Sequence, residues 1–276
     1  MSDNYDFDEL KMYFGEPYYI QMPNGKYLKI IQPTIGEVLQ LGDRYVYSTI
    51  SPFTCNTTLY RVALWESGKD WNKITDYELF VSLIGVVKDI SFLMKKVDFI
   101  QDKDKIVEQL YDIDFSQLKP YVLQENEESE KSIILYDQEQ GIYIDEQTYK
   151  HMRAYIRYMF NQNPKEEFVK GKMAKQWVID EEKENMKRES EKGGKSKSPL
   201  LPLVSGLINH PGFKYDLDGI KKLGIFAFMD SVQRLQVYQQ SIAFLGGMYS
   251  GMMDTSKLGQ EEINKRVNWL QDIYAL

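Results

Sequence analysis

Two short segments of the chain carry the pattern of a β-hairpin, with β-prone runs on either side of a glycine. In residues 18–32 the runs flank Pro23-Asn24-Gly25, and the Asn-Gly pair favours the positive φ angles of a type I′ turn. Residues 132–145 show a similar pattern around Gly141. The sequence therefore predicts two small antiparallel hairpins.

Elsewhere the apolar residues recur mostly at spacings of three and four, the period of an α-helix. Thr34 with Glu37, and Thr75 with Glu78, have the spacing of a capping box, so each pair predicts the start of a helix. Pro52 would stop or bend the first of these helices.

The later part of the chain is predicted to be helical, with Asp145 as the cap of one helix and Gly246-Gly247 as the end of another. The stretch 100–121 has mixed charge and is expected to form a short helix or a loop. The predicted later helices are 146–161, a solvated helix within 181–198, 200–209, 225–245 and 260–274.

A change in composition near residue 164 predicts how the chain is organised. Residues 164–198 are the most polar part and end in Gly, Ser and Lys, which is typical of a solvated helix followed by a flexible linker. The predicted fold class is mainly α (α+β), with two small hairpins. We expect an N-terminal α+β domain over 1–163, a polar helix and linker over 164–198, and a helical C-terminal domain over 199–276.

Charge and length narrow the class of protein. The chain has 276 residues, with 34 Lys and Arg against 41 Asp and Glu, a net charge of −7. This acidic balance argues against a general nucleic-acid binder, because such proteins usually show a basic excess. The N-terminal residues lack the pattern of a signal peptide, and no apolar run is long enough to span a bilayer. We therefore expect a cytoplasmic protein that has no membrane partner.

The residue types that usually carry catalysis or metal binding are scarce and scattered. Cys55, His151 and His210 lie far apart in sequence, so we expect a packed thiol and two structural histidines and no metal site. Gly194-Lys195-Ser196 resembles the end of a phosphate loop, but Glu189 stands where that motif needs glycine. Gly-x-Ser-x-Gly does not occur. We expect no enzyme activity and no cofactor.

Residues 246–253 form a glycine-rich segment with three methionines and a tyrosine. Methionine is flexible and polarisable, so it serves both in adaptable binding surfaces and as filling for irregular gaps in a core. Two interpretations stay open: a buried loop between two helices, or a binding site for an apolar partner. The candidate partner-binding residues are Met248, Tyr249, Met252 and Met253.

Four segments of the chain together resemble proteins of tailed phages that infect Gram-positive bacteria. The resemblance is greatest to the tail assembly chaperones and runs over most of residues 13–272. The segments are GEPYYIQMPNGKYLKIIQPTIGEVLQLG, LWESGKDWNKITDYELFVSL, GIYIDEQTYKHMRAYIRYMF and NHPGFKYDLDGIKKLGIFAFMDSVQRLQ.

The resemblance implies a non-enzymatic factor of the host cytoplasm. Such factors bind the long tape measure protein, keep it soluble and help tail tube subunits polymerise around it. Two other functions stay open for a protein of this composition. One is a structural component of the virion, such as a neck, baseplate or portal-associated protein. The other is a regulatory protein that binds a host factor.

Overall fold

The computed structural model describes residues 7–87, 89–102, 105–123, 132–191, 198–253 and 258–273. Within these residues the chain forms eleven α-helices and two small antiparallel sheets. The predicted α+β class, mainly helical, is confirmed. The predicted linker positions 192–197, which include the Gly194-Lys195-Ser196 sequence, lie outside the described residues.

The helices and strands are named in chain order. The helices are α1 (Glu9–Tyr13), α2 (Ile35–Leu41), α3 (Asp43–Thr54), α4 (Arg61–Glu66), α5 (Asp76–Leu83), α6 (Glu146–Phe160), α7 (Lys172–Glu191), α8 (Leu201–Ile208), α9 (Leu217–Lys222), α10 (Ile225–Tyr249) and α11 (Gln260–Val267). The strands are β1 (Tyr18–Gln21), β2 (Tyr27–Ile30), β3 (Met94–Asp102), β4 (Lys105–Tyr111), β5 (Lys119–Leu123), β6 (Ser132–Asp137) and β7 (Ile142–Ile144). The sheets have the orders β1-β2-β3-β4 and β5-β6-β7.

Both predicted hairpins form, but the first has a different turn. β1 pairs with β2 and β6 with β7, each pair antiparallel. In the first turn the Met22 N–H donates to the Lys26 carbonyl at 2.8 Å, and Gly25 has φ +80° while Asn24 keeps a negative φ. A type I′ turn needs positive φ at both central residues. The loop therefore has three residues, and Gly25 occupies its left-handed position.

The prediction of a helix or loop over 100–121 was wrong for most of the stretch and holds only for 112–118, where a loop with a short 3-10 turn (Phe115–Gln117) connects β4 to β5. This stretch contributes to β3, β4 and β5, and β3 pairs with β2 through Leu28 and Lys96. Charged residues interrupt the alternation of these strands, and Lys96 is itself buried next to Asp98. Pairing with a distant strand fixes this conformation, and a local pattern does not encode such pairing.

Local capping signals were accurate, whereas several predicted helix ends were not. Thr34 and Thr75 each form a capping box, and Asp145 caps α6. Gly42, at φ +88°, divides the first predicted helix into α2 and α3, and Pro52 lies inside α3. α10 continues through the two glycines to Tyr249 because glycine is tolerated in a helix, and α11 ends at Val267 rather than at residue 274.

One cluster of buried side chains joins the early and late parts of the chain. It contains residues from Met12 to Met229, and α6 lies at its centre, in contact with α3 and α10. Tyr158 of α6 stacks on Phe226 of α10, with ring centroids 5.4 Å apart. A second cluster around Trp71 attaches α7 through Ile179. The three-part division of the chain remains a prediction, and this packing connects its first and third parts.

Candidate interaction surface on the C-terminal helices

The two halves of α10 have different surroundings. Residues 225–229, at the start of the helix, are all buried, and all but Ala227 belong to the main core cluster. Beyond Leu235 most side chains are partly or fully exposed. The first half therefore anchors a helix whose second half presents a surface to solvent.

α11 and the residues after it cover one side of this second half. The Ser241 hydroxyl donates to the Arg266 carbonyl at 2.9 Å, and the Arg266 guanidinium lies over the Phe244 ring. Arg234 donates to the carbonyl of Trp269 at 3.1 Å, and the Trp269 ring packs edge-on against Tyr238. These contacts hold the two helices as a pair, and among the described residues the neighbouring side of α10 is left uncovered.

The uncovered side carries an apolar stripe, which we call the α10 stripe. Its members follow the helical spacings of four, three and four, and Met252 extends the surface beyond the helix. The α10 stripe consists of Tyr238, Ile242, Leu245, Tyr249 and Met252, with Tyr238 at the border where the Trp269 ring packs against it. From Leu235 to Met253 the sequence has no charged residue. A partner that covers this surface would therefore not have to remove water from a charged side chain of this segment.

The four predicted binding residues lie together but differ in exposure. Met248 and Tyr249 form the last turn of α10, and the chain then reverses at Gly251, which has φ +71°. Tyr249 is 86% exposed and Met252 is 90% exposed. Met253 folds back against Gly247, and Met248 is only partly exposed. The segment is therefore not a buried loop, and its use in binding a partner stays a prediction.

Comparison with protein-family models, curated proteins and solved structures finds no match. The residues of the α10 stripe are therefore assigned from their own exposure and packing. Continuous exposed apolar surface on a folded protein is typical of a protein–protein contact.

Sequence reasoning missed a second exposed apolar surface, on the outer end of the β3–β4 hairpin. Only the first four residues of β3 pair with β2, so the rest of β3 and its partner β4 form a two-stranded arm. Phe99 and Ile106 are exposed on one face, and Ile100 and Val107 on the other. A two-stranded hairpin is marginally stable alone. The alternation of apolar and polar residues within 97–107 could have indicated these strands, but charged residues obscured it.

The residues weighed for catalysis or metal binding occupy separate places. His151 lies on α6 within 3.2 Å of Gln147, and the His210 ring accepts the Gly212 N–H at 3.0 Å in the turn after α8. In the part of the chain that the structure describes, no three His, Cys, Asp or Glu side chains are grouped to hold a metal ion. The same residues include no helix with the length and apolar character needed to cross a bilayer.

Cys55 is buried in the smaller core cluster, and we expect its thiol to be unreactive in the folded protein. Burial raises the pKa of Cys55 from 9.0 to about 11, so the thiolate population at neutral pH falls about a hundredfold. A thiol reagent should therefore react at least that much more slowly in buffer than in concentrated urea. Equal rates in the two conditions would contradict the observed burial.

Proposed function

We propose that this protein is a non-enzymatic chaperone of phage tail assembly, acting in the host cytoplasm by binding the tape measure protein. The observation that carries the proposal is the α10 stripe, an exposed and uncharged helical surface that ends in Tyr249 and Met252. The resemblance to tail assembly chaperones supplies the identity of the client. The tail tube protein, which assembles around that client, is a further candidate partner.

The stripe suits a helical client with an apolar face. An amphipathic helix binds by laying its apolar face against an apolar surface, and α11 packs against α10 beside the stripe. Methionine at the end of the stripe adapts to different side chains, so successive segments of a long client fit the same surface. Covering those segments would keep the client soluble before tail tube subunits assemble around it.

The test is capture of the tape measure protein by the purified chain after co-expression. The double variant Tyr249→Ser/Met252→Ser removes the two most exposed apolar side chains of the stripe, and we expect it to lower client affinity at least about tenfold. Met173→Ser is the matched control, because Met173 is 86% exposed on α7 and lies outside the stripe. Equal capture by the double variant and the wild type would exclude the α10 stripe as the binding site.

A second candidate function is a structural component of the virion. The exposed β3–β4 arm favours it, because β4 is an edge strand and edge strands pair readily with other chains. Mass spectrometry of purified particles separates the two functions. A stoichiometric signal for this protein supports the structural component, and its absence from finished particles supports the chaperone.

A further inference from the structure

α7 lies against the body of the protein along one side only. Ile179 is fully buried there, Lys175 forms an ion pair with Asp70 at 2.6 Å, and the Trp65 indole N–H donates to Gln176 at 3.1 Å. These contacts fix the helix in position and leave most of its remaining side chains in solvent.

Beside these contacts, α7 borders a cleft of 570 Å³ whose other wall includes Arg61 of α4 and Glu167. Two helical rows at i, i+4 spacing form the α7 wall. Trp177 and Glu181 belong to one row, and Glu182 and Met186 belong to the other. Trp177 is 68% exposed, so the cleft presents a large aromatic face to solvent.

The cleft has an excess of carboxylates. The Arg61 guanidinium donates to both Glu167 and Glu182, so one positive charge pairs with two carboxylates. Glu181 and Glu189 also line the cleft, and neither has an ion-pair partner among the described residues. The four acids and one base give the lining a net charge of −3 (−4 + 1).

The lysines of α7 do not offset this charge. Lys183 pairs with Glu66, and Lys187 reaches towards Glu191 rather than into the cleft. Arg188 pairs with Glu184, so these three basic side chains form their ion pairs with acids that do not line the cleft. The cleft offers an aromatic ring, a methionine and free carboxylates, a combination that attracts cationic side chains and apolar surface together.

We propose that this cleft binds a basic amphipathic segment of a partner protein. Apolar side chains of that segment pack on Trp177 and Met186, and its Lys or Arg residues lie against Glu181 and Glu189. From Trp177 to Glu189 the lining extends about 18 Å along the helix, which matches several residues of a peptide and exceeds a single small cation. This site lies on a different helix from the α10 stripe, and its test does not depend on the proposed client.

The probe is a labelled peptide of about 18 residues, five helical turns, with Leu and Lys at amphipathic spacing. Binding to the full chain is followed by fluorescence anisotropy at low salt and again at about 0.3 M salt, where screening is stronger. A matched peptide with Glu in place of Lys measures binding that depends on the leucines alone, including binding to the α10 stripe.

We expect the Leu/Lys peptide to bind more tightly than the Leu/Glu peptide and to lose affinity as salt rises. Glu181→Lys/Glu189→Lys should weaken it at least about tenfold, and Trp177→Ala should weaken it as well. Asp180→Lys is the control, because Asp180 is an exposed acid of α7 that does not line the cleft, and it should bind within about twofold of the wild type.

Two results would overturn the inference: equal binding of the two peptides, or equal weakening by Asp180→Lys and by Glu181→Lys/Glu189→Lys. A Tyr249→Ser/Met252→Ser variant that still binds the Leu/Lys peptide normally would show that the cleft acts independently of the α10 stripe. Circular dichroism confirms that each variant is folded.

Discussion

Replacing Asp76 by alanine is expected to lower the free energy of unfolding by about 3–5 kcal/mol, because it leaves two partly buried arginines without their anion. Asp76 is the first residue of α5, and its side chain is 14% exposed. One carboxylate oxygen accepts the Thr57 N–H at 3.0 Å, and the other pairs with Arg153 and lies 3.7 Å from Arg157.

The rest of the network shows why the loss is large. Arg157 donates to the backbone carbonyls of Thr54 at 2.9 Å and Cys55 at 2.5 Å, and burial lowers its pKa. Keeping Arg157 charged therefore already costs free energy in the native protein. The carboxylate of Asp76 is the nearby anion that favours this charge. Arg153 also lies over the ring of Tyr149, 5.8 Å from its centroid, inside the core. Removing Asp76 disturbs the contact of α6 with both α3 and α5.

Urea unfolding followed by circular dichroism measures the effect. Asp218→Ala is the matched control, because Asp218 pairs with Lys221 at 3.2 Å while 80% exposed, and exposed pairs contribute about 0–1 kcal/mol. Asp76→Asn keeps the size of the side chain and should fall between Asp76→Ala and the wild type. A loss below about 1 kcal/mol for Asp76→Ala would mean that water solvates the two arginines in the native state.

The sequence correctly predicted the features that are determined by a few neighbouring residues. Thr34 with Glu37 and Thr75 with Glu78 contain their whole mechanism in four positions, and both capping boxes form. β3 and β4 depend on pairing between positions as distant as Leu28 and Lys96. No local window contains that information, and the mixed charge of 100–121 indicated a short helix or a loop instead.

The candidate surface was predicted in part for the same reason. The methionines around Gly251 are visible in the sequence, and two of the four predicted residues, Tyr249 and Met252, belong to the α10 stripe. Their exposure depends on where α11 packs, and the contacts of Arg234 and Ser241 that position it are polar. The cleft beside α7 was missed altogether, because its carboxylates come from α7 and from Glu167, with Arg61 supplied by α4.

Gly224→Ala is expected to destabilise the protein by about 3 kcal/mol, through a clash at the point where α10 meets the N-terminal part of the chain. A Cβ at Gly224 would lie 2.0 Å from Oε1 of Gln32. Gln32 is buried, its amide donates to the Met12 carbonyl at 2.7 Å, and its oxygen accepts the Phe226 N–H at 3.2 Å. The side chain has to give up these bonds to make room.

A double-mutant cycle tests this mechanism in urea unfolding. Gln32→Ala removes the clashing atom and the two hydrogen bonds, so adding Gly224→Ala to it should cost little more. Gly206→Ala is the control, because a Cβ there meets open space within α8, and it should stabilise by about 0.5–1 kcal/mol. If the losses in free energy of unfolding add in the double variant, the backbone at this position, and not the contact with Gln32, causes the effect of Gly224→Ala.

Hydrogen exchange in the Gly224→Ala variant also decides whether residues 1–163 and 199–276 fold as one unit. Tyr158 stacks on Phe226, and the Ile35 N–H donates to the Leu223 carbonyl at 2.9 Å, so α6 and the start of α10 share one core. Faster exchange should therefore appear in α6 as well as in residues 225–229, because a cooperative unit loses protection throughout. If exchange rises only in 199–276, the two parts are separate domains, and the contact through Gln32 is an interface between them.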